Sequence, residues 1–197
     1  MANTNSPFGL IPKMYANGSP WNGKFNWYSI PVGNATALFI GDAVKLASSA
    51  TADGKYPDIV KADDGDATFL VGVVIGFATN PELGFDIDVP TRKHCPVSTA
   101  MYAAVVDDPG VIFEIQEDSV GAATVVTSIG ENADIVYATG STTTGVSGTM
   151  LDSSDHKTAT AQLRILRLVD RPDNALGNYA KWLVKINEHI FASTAGA

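Results

Sequence analysis

The chain has 197 residues, of which 45% are hydrophobic and only 17% charged, and its formal net charge is −8 at pH 7. That length can bury one real core, and the acidic balance offers no basic field to gather phosphates, so nucleic acid is not an expected partner. One cysteine, Cys95, and three histidines exclude an intrachain disulfide framework and a cysteine-based zinc site.

Ordinary soluble domains carry roughly 25% charged residues, so this surface is covered largely by small polar and apolar side chains, as in a protein partly buried in an assembly. Eighteen glycines and ten prolines, with many Thr and Val, favour short strands joined by tight turns. The expected class is all-β with at most one or two short helices. The start of the chain has no basic region followed by an apolar one, so no secretory signal is read there. The apolar run 69–78 is broken by Gly72 and Gly76 and is far short of the ~20 residues that span a bilayer. The chain is therefore expected to stay off membranes and in the cytoplasm until assembly.

Residues 1–35 read as an extended arm rich in aromatics and prolines. Phe8, Tyr15, Trp21, Phe25, Trp27 and Tyr28 lie here, with Pro7, Pro12, Pro20 and Pro31 opposing continuous helix or central sheet. Such a segment either folds back over its own core or straps onto a partner, because aromatic side chains are common interface anchors. Residues 36–197 are expected to form a single β domain. In ALFIGDAVKL, Gly41-Asp42 bends or bulges a strand at a barrel corner. FLVGVVIGFA reads as core strand with close backbone approach at its glycines.

Met101–Val106, the turn Asp107-Asp108-Pro109-Gly110 and Val111–Gln116 predict a hairpin. In its second strand Phe113 and Ile115 take the buried face, and Ile112, Glu114 and Gln116 a mostly wet one. The stretch 118–136 is compatible with a short helix or an irregular strand pair. The uncharged residues 140–150 read as an exposed loop. QLRILRLVD predicts a strand covered on both sides. YAKWLVKINEHI predicts a closing strand with Trp182, Val184 and Ile186 inward and Lys181, Lys185, Asn187 and His189 in solvent. No internal repeat suggests a solenoid. Short strands and frequent turns favour a compact barrel over a jelly roll or tulip-like sandwich.

Catalytic patterns are weak. No nucleophile elbow is present, and His94 and Cys95, adjacent in a strand, point to opposite faces. Asp63, Asp64, Gly65 and Asp66 lack the ligand ladder and closing glutamate of a calcium loop. No phosphate loop or dinucleotide fingerprint occurs. Glu114, Glu117 and Glu131 leave a paired-carboxylate hydrolase open without a positive sign for one. No catalytic, metal or cofactor residues are assigned.

In their joint order, NSPFGLIP, GSPWNG, GDAVKL, VVDDPGVIFEIQED and LRILRLVDRPDNALGNYAKWLVKINEH span nearly the whole chain. In this the chain resembles the capsid decoration or cement proteins of tailed phages, the small auxiliary head proteins. The resemblance implies attachment to the outer capsid surface of the virion, contact with the major capsid protein and neighbouring copies of the chain, a homotrimer being one arrangement, and no catalysis. On this reading Phe8, Leu10, Tyr15, Trp21 and Trp27 carry part of the capsid contact. A tail or baseplate component and a surface carbohydrate-binding or hydrolytic module are the alternatives.

Overall fold

The computed structural model describes residues 3–63, 69–85 and 93–192. In chain order the strands are β1 (Ile11–Tyr15), β2 (Asn26–Ile30), β3 (Leu38–Phe39), β4 (Ala43–Ala50), β5 (Pro57–Lys61), β6 (Gly72–Ala78) and β7 (His94–Cys95). They continue with β8 (Met101–Val106), β9 (Val111–Gln116), β10 (Asn132–Ala133), β11 (Ile135–Val136), β12 (Met150–Leu151), β13 (Leu163–Leu168) and β14 (Lys181–Ile186). Helical backbone among the described residues is confined to 3-10 turns at Pro81–Leu83, Val126–Ser128 and Ile190–Ala192. No helix there is long and apolar enough to cross a membrane. The protein is all-β, as its composition predicts.

Strands β2, β5, β4, β6 and β8 close into a barrel, while β1, β9, β14, β13 and β10 form a five-stranded sheet in that order. Two cores result. Tyr28, Ile30, Val44, Ile59, Val74, Phe77, Ala103 and Val105 belong to one, built on the barrel strands. Ala43, Val73 and Val106, their neighbours of opposite parity, join Phe113, Ile115, Leu163, Ile165, Trp182, Val184 and Ile186 in the other. Successive strand residues point to opposite faces, so β6 is apolar throughout because both of its faces are covered. Gly72 is required there: a Cβ would stand 2.1 Å from the Val106 carbonyl oxygen.

The division into an arm of 1–35 and a domain of 36–197 does not match the packing. β1 is the edge strand of the sheet, paired with β9, and β2 is a barrel strand paired with β8 along its length. The prolines allow this. Pro12 sits in an edge strand beside a bulge, and Pro31 follows the last residue of β2.

Several face assignments are also corrected. Glu114 and Gln116 are buried rather than wet. Lys13 and Arg171 cover Glu114, and Gln116 accepts from the Ser6 N–H at 2.9 Å and donates to Asn5 at 2.9 Å. Lys181 and His189 are buried too: the turn carrying Asn174 bonds the Lys181 backbone, and His189 lies beyond β14, where the chain bridges to Leu70. In β13, a bulge between Ile165 and Arg167 advances the parity by one residue. Leu168 rather than Arg167 then joins Leu163 and Ile165 on the core, and both arginines are exposed. The stretch 118–136 contains one 3-10 turn and the short strands β10 and β11.

The 140–150 loop is exposed only in its first half. Ser147 and Thr149 are buried, and their hydroxyls bond Asp42, which is fully buried at the bend before β4. The same carboxylate accepts from the Phe39 N–H at 2.8 Å and lies 3.3 Å from Lys61 Nζ. Lys61 in turn sits 4.7 Å from the Tyr137 ring centroid. One carboxylate thus ties β3, β5 and the 147–149 segment together.

Candidate functional site

The five anchors expected in the N-terminal segment are placed differently from one another. Leu10 is fully buried in the sheet-side core, and Tyr15 and Trp21 pack half-buried against that same core. These three serve the chain's own fold, which corrects the expectation that Leu10 faces a partner. Phe8 is half-buried. Trp27 points to the outside of the barrel, opposite to Tyr28. There it meets Phe25 and Phe85 with ring centroids 5.3 Å away, and Phe25 and Phe85 are 5.4 Å apart. Gly76 makes room for this trio, since a Cβ there would stand 2.5 Å from the Phe85 ring. Phe85 is 43% and Leu83 81% exposed, so an aromatic and aliphatic patch reaches solvent.

A second apolar surface lies in the stretch whose sequence fits helix and strand equally. Residues 119–130 carry no charge, and Val120, Val125, Val126 and Ile129 are exposed by 45–61%. The loop is nonetheless anchored from below. Thr124 and Ser128, which flank two of the exposed valines, are buried, and their hydroxyls lie 3.0 and 3.2 Å from the two ring nitrogens of His156. The Thr124 N–H donates to Glu117 Oε2 at 2.9 Å. Buried polar groups with partners fix a backbone, so the apolar tips project from a preorganised turn. Buried Thr and Ser interspersed with exposed Val are the available signal. The pattern has no standard strand or helix period, which is why periodicity does not reveal it.

A third feature is a groove of about 760 Å³ at the barrel seam. β2 and β5 run parallel and pair only at Ser29 and Asp58, so the strands part beyond that point. Asn26, Tyr56, Asp107, Asp108 and Phe191 line the opening, with Lys24 and Lys55 at its sides. Asp107 is held by Asn26 Nδ2 at 2.9 and 3.0 Å and by the Tyr28 hydroxyl at 2.8 Å. Burial, and then the Asp107 carboxylate, push the Tyr28 phenol well above its usual range. Asp108 accepts from the Gly110 N–H at 2.8 Å.

The remaining sequence candidates separate. Cys95 is buried, its thiol pushed up to about 11 by desolvation and bonded to the Thr99 carbonyl at 3.3 Å. His94 stacks on Phe39 with centroids 5.2 Å apart. Asp63 pairs with Lys45, while Asp64, Gly65 and Asp66 lie outside the described residues. Among the described residues no group of three or more His, Cys, Asp and Glu could hold a metal ion. Glu114 bonds Lys13 and Arg171, each at 2.7 Å, and Glu117 bonds Trp182 and Thr124. Both carboxylates are engaged in structural ties. Glu131 bonds through its backbone to Ser128 and Ile165.

No family model, no curated protein and no solved structure matches the chain. The fold and these surfaces define an all-β protein, a closed five-stranded barrel joined to a five-stranded sheet, that presents an uncharged, internally braced apolar loop.

Proposed function

We propose that the protein is a structural component of a tailed-phage virion that decorates the outer capsid surface and cements major capsid subunits, without a catalytic step. The reading begins from the order of sequence motifs that resembles decoration proteins. The observation that carries it is the 119–130 loop. An exposed apolar segment without charge is unusual on a monomer's surface and suits burial against another protein. Its bracing through Glu117 and His156 reduces the ordering cost of that burial. The Phe25, Trp27 and Phe85 patch supplies a second contact of the kind that dominates interface energetics. Repeated over a lattice, modest contacts sum to a large gain in shell stability. Binding of the purified protein to expanded, DNA-free heads tests this. Many copies per shell support decoration, and a few copies in mature virions point instead to the tail or baseplate.

The seam groove favours a second reading, a carbohydrate-binding module. Its two lysines balance its two aspartates, and Tyr56 and Phe191 are among its lining residues, aromatic groups of the kind that pack on a neutral sugar. A glycan array with the purified protein separates the readings, because a capsid-binding role needs no glycan affinity.

A further inference from the structure

Two Asn-Gly pairs, Asn17-Gly18 and Asn22-Gly23, lie between β1 and β2. Glycine is the least hindered residue to follow an asparagine when the next backbone nitrogen attacks the side-chain amide. Both pairs are exposed, both glycines have positive φ (89° and 83°), and a Cβ at either would meet nothing within 4 Å. By sequence and access they are equivalent.

Their hydrogen bonds differ. The Gly18 N–H donates to the Tyr15 carbonyl at 2.9 Å, which withholds that nitrogen. The Gly23 N–H donates to no group among the described residues. Asn22 Oδ1 accepts from the Tyr15 hydroxyl at 2.8 Å and from the Lys24 N–H at 3.2 Å. Asn17 Oδ1 also accepts two bonds, both from Ser19. The combination of a free attacking nitrogen and a doubly bonded amide oxygen therefore exists at Asn22 alone of the two. Donors placed on an oxygen that gains charge in acyl transfer lower the barrier, and a nucleophile one bond along the chain needs no encounter.

We propose that Asn22 is a self-modifying site, converted to aspartate and isoaspartate by attack of the Gly23 nitrogen, with Tyr15 as a positioning residue. Hydroxide removes the Gly23 amide proton as the nitrogen bonds Asn22 Cγ, and the negative charge falls on Oδ1. The Cγ–Nδ2 bond then breaks, and the amide nitrogen takes a proton and leaves as ammonia. Water opens the resulting five-membered imide at either carbonyl. The change adds one negative charge beside Tyr15. Opening at the main-chain carbonyl also inserts a methylene into the backbone next to Trp21, which packs on the sheet-side core and donates to the Lys24 carbonyl at 3.3 Å. The modification thus acts on the aromatic segment that leads into the barrel.

The test is timed incubation of the purified full chain in mildly alkaline buffer, followed by peptide mapping by mass spectrometry. The expected result is conversion at Asn22 several-fold faster than at Asn17. Tyr15→Phe, which keeps the ring in the core, slows Asn22 several-fold and leaves Asn17 unchanged. In denaturant the two sites converge. Equal rates in the folded protein, or an Asn22 rate indifferent to Tyr15→Phe, overturn the proposal.

Discussion

The Trp182 indole donates through Nε1 to Glu117 Oε2 at 3.2 Å, joining the centre of the five-stranded sheet to the root of the uncharged loop. The same oxygen receives the Thr124 N–H, and Glu117 is fully buried. Glu117→Gln keeps an acceptor for both donors and removes a buried charge, so stability is expected to hold or rise. Glu117→Ala leaves two buried donors without an acceptor and should cost about 2–4 kcal/mol. Denaturant unfolding of the two variants checks the pair.

Asp42 makes the sharper case, because its carboxylate serves a lysine, a backbone N–H and two hydroxyls. Removing one partner of a buried ion pair costs about 3–5 kcal/mol. Both variants break the pair, but Asp42→Ala also orphans the Phe39 N–H and two hydroxyls, whereas Lys61→Met leaves the carboxylate those three donors, so Asp42→Ala is expected to unfold at lower denaturant.

His189 sets a pH dependence. It is buried, and desolvation lowers its pKa from 6.5 to about 4, outweighing the opposing influence of Asp107 and Asp108, while Lys185 adds to the lowering. The unfolded chain takes up the proton near pH 6.5 and the folded chain only near 4. This site contributes no pH dependence above that range. Stability falls as the pH drops through it, by at most about 3 kcal/mol, because each tenfold difference in proton affinity between the folded and unfolded chain is worth about 1.4 kcal/mol. His189→Gln should flatten the difference in unfolding free energy between pH 7 and 5; an unchanged slope contradicts the assignment.

Two glycines in β6 should respond unequally to alanine. At Gly72 the new methyl meets the Val106 backbone, and at Gly76 it meets the Phe85 ring, a side chain on an exposed turn. Gly76→Ala should cost about 1 kcal/mol and change Trp27 fluorescence as the trio opens. Gly72→Ala should exceed the usual 1–3 kcal/mol of overpacking, since a strand must move.

These contrasts also show what the sequence makes legible. The class, the turn at Asp107-Gly110 and the bend at Gly41-Asp42 are readable because turn chemistry and β-branched runs are local signals. The expected hairpin, however, is not formed: β8 pairs with β2 and β6 in the barrel and β9 with β1 and β14 in the sheet, so the turn joins the two sheets. The faces of β9, β13 and β14 are not readable either. Glu114 and Lys181 look solvent-facing by alternation, yet both are buried: Lys13 and Arg171 close over Glu114, and the turn carrying Asn174 bonds the Lys181 backbone, contacts that come from distant stretches of the chain. A bulge at Leu166 changes parity without a Gly or Pro to announce it. Ser147 and Thr149 read as loop surface because their partner, Asp42, is more than a hundred residues away. Of the candidate anchors, aromatic content locates Trp27 but cannot separate it from Tyr15 and Trp21, which the chain uses itself.

The most direct test of the central claim is quantitative binding of the purified protein to expanded, DNA-free heads, beside a variant carrying Val125→Asp and Val126→Asp. Those side chains are exposed, so the variant should fold with an unchanged unfolding midpoint. The account predicts saturable binding of the wild-type chain at many copies per shell and loss of binding in the variant. Failure of the wild-type chain to bind, or full occupancy by the variant, contradicts it.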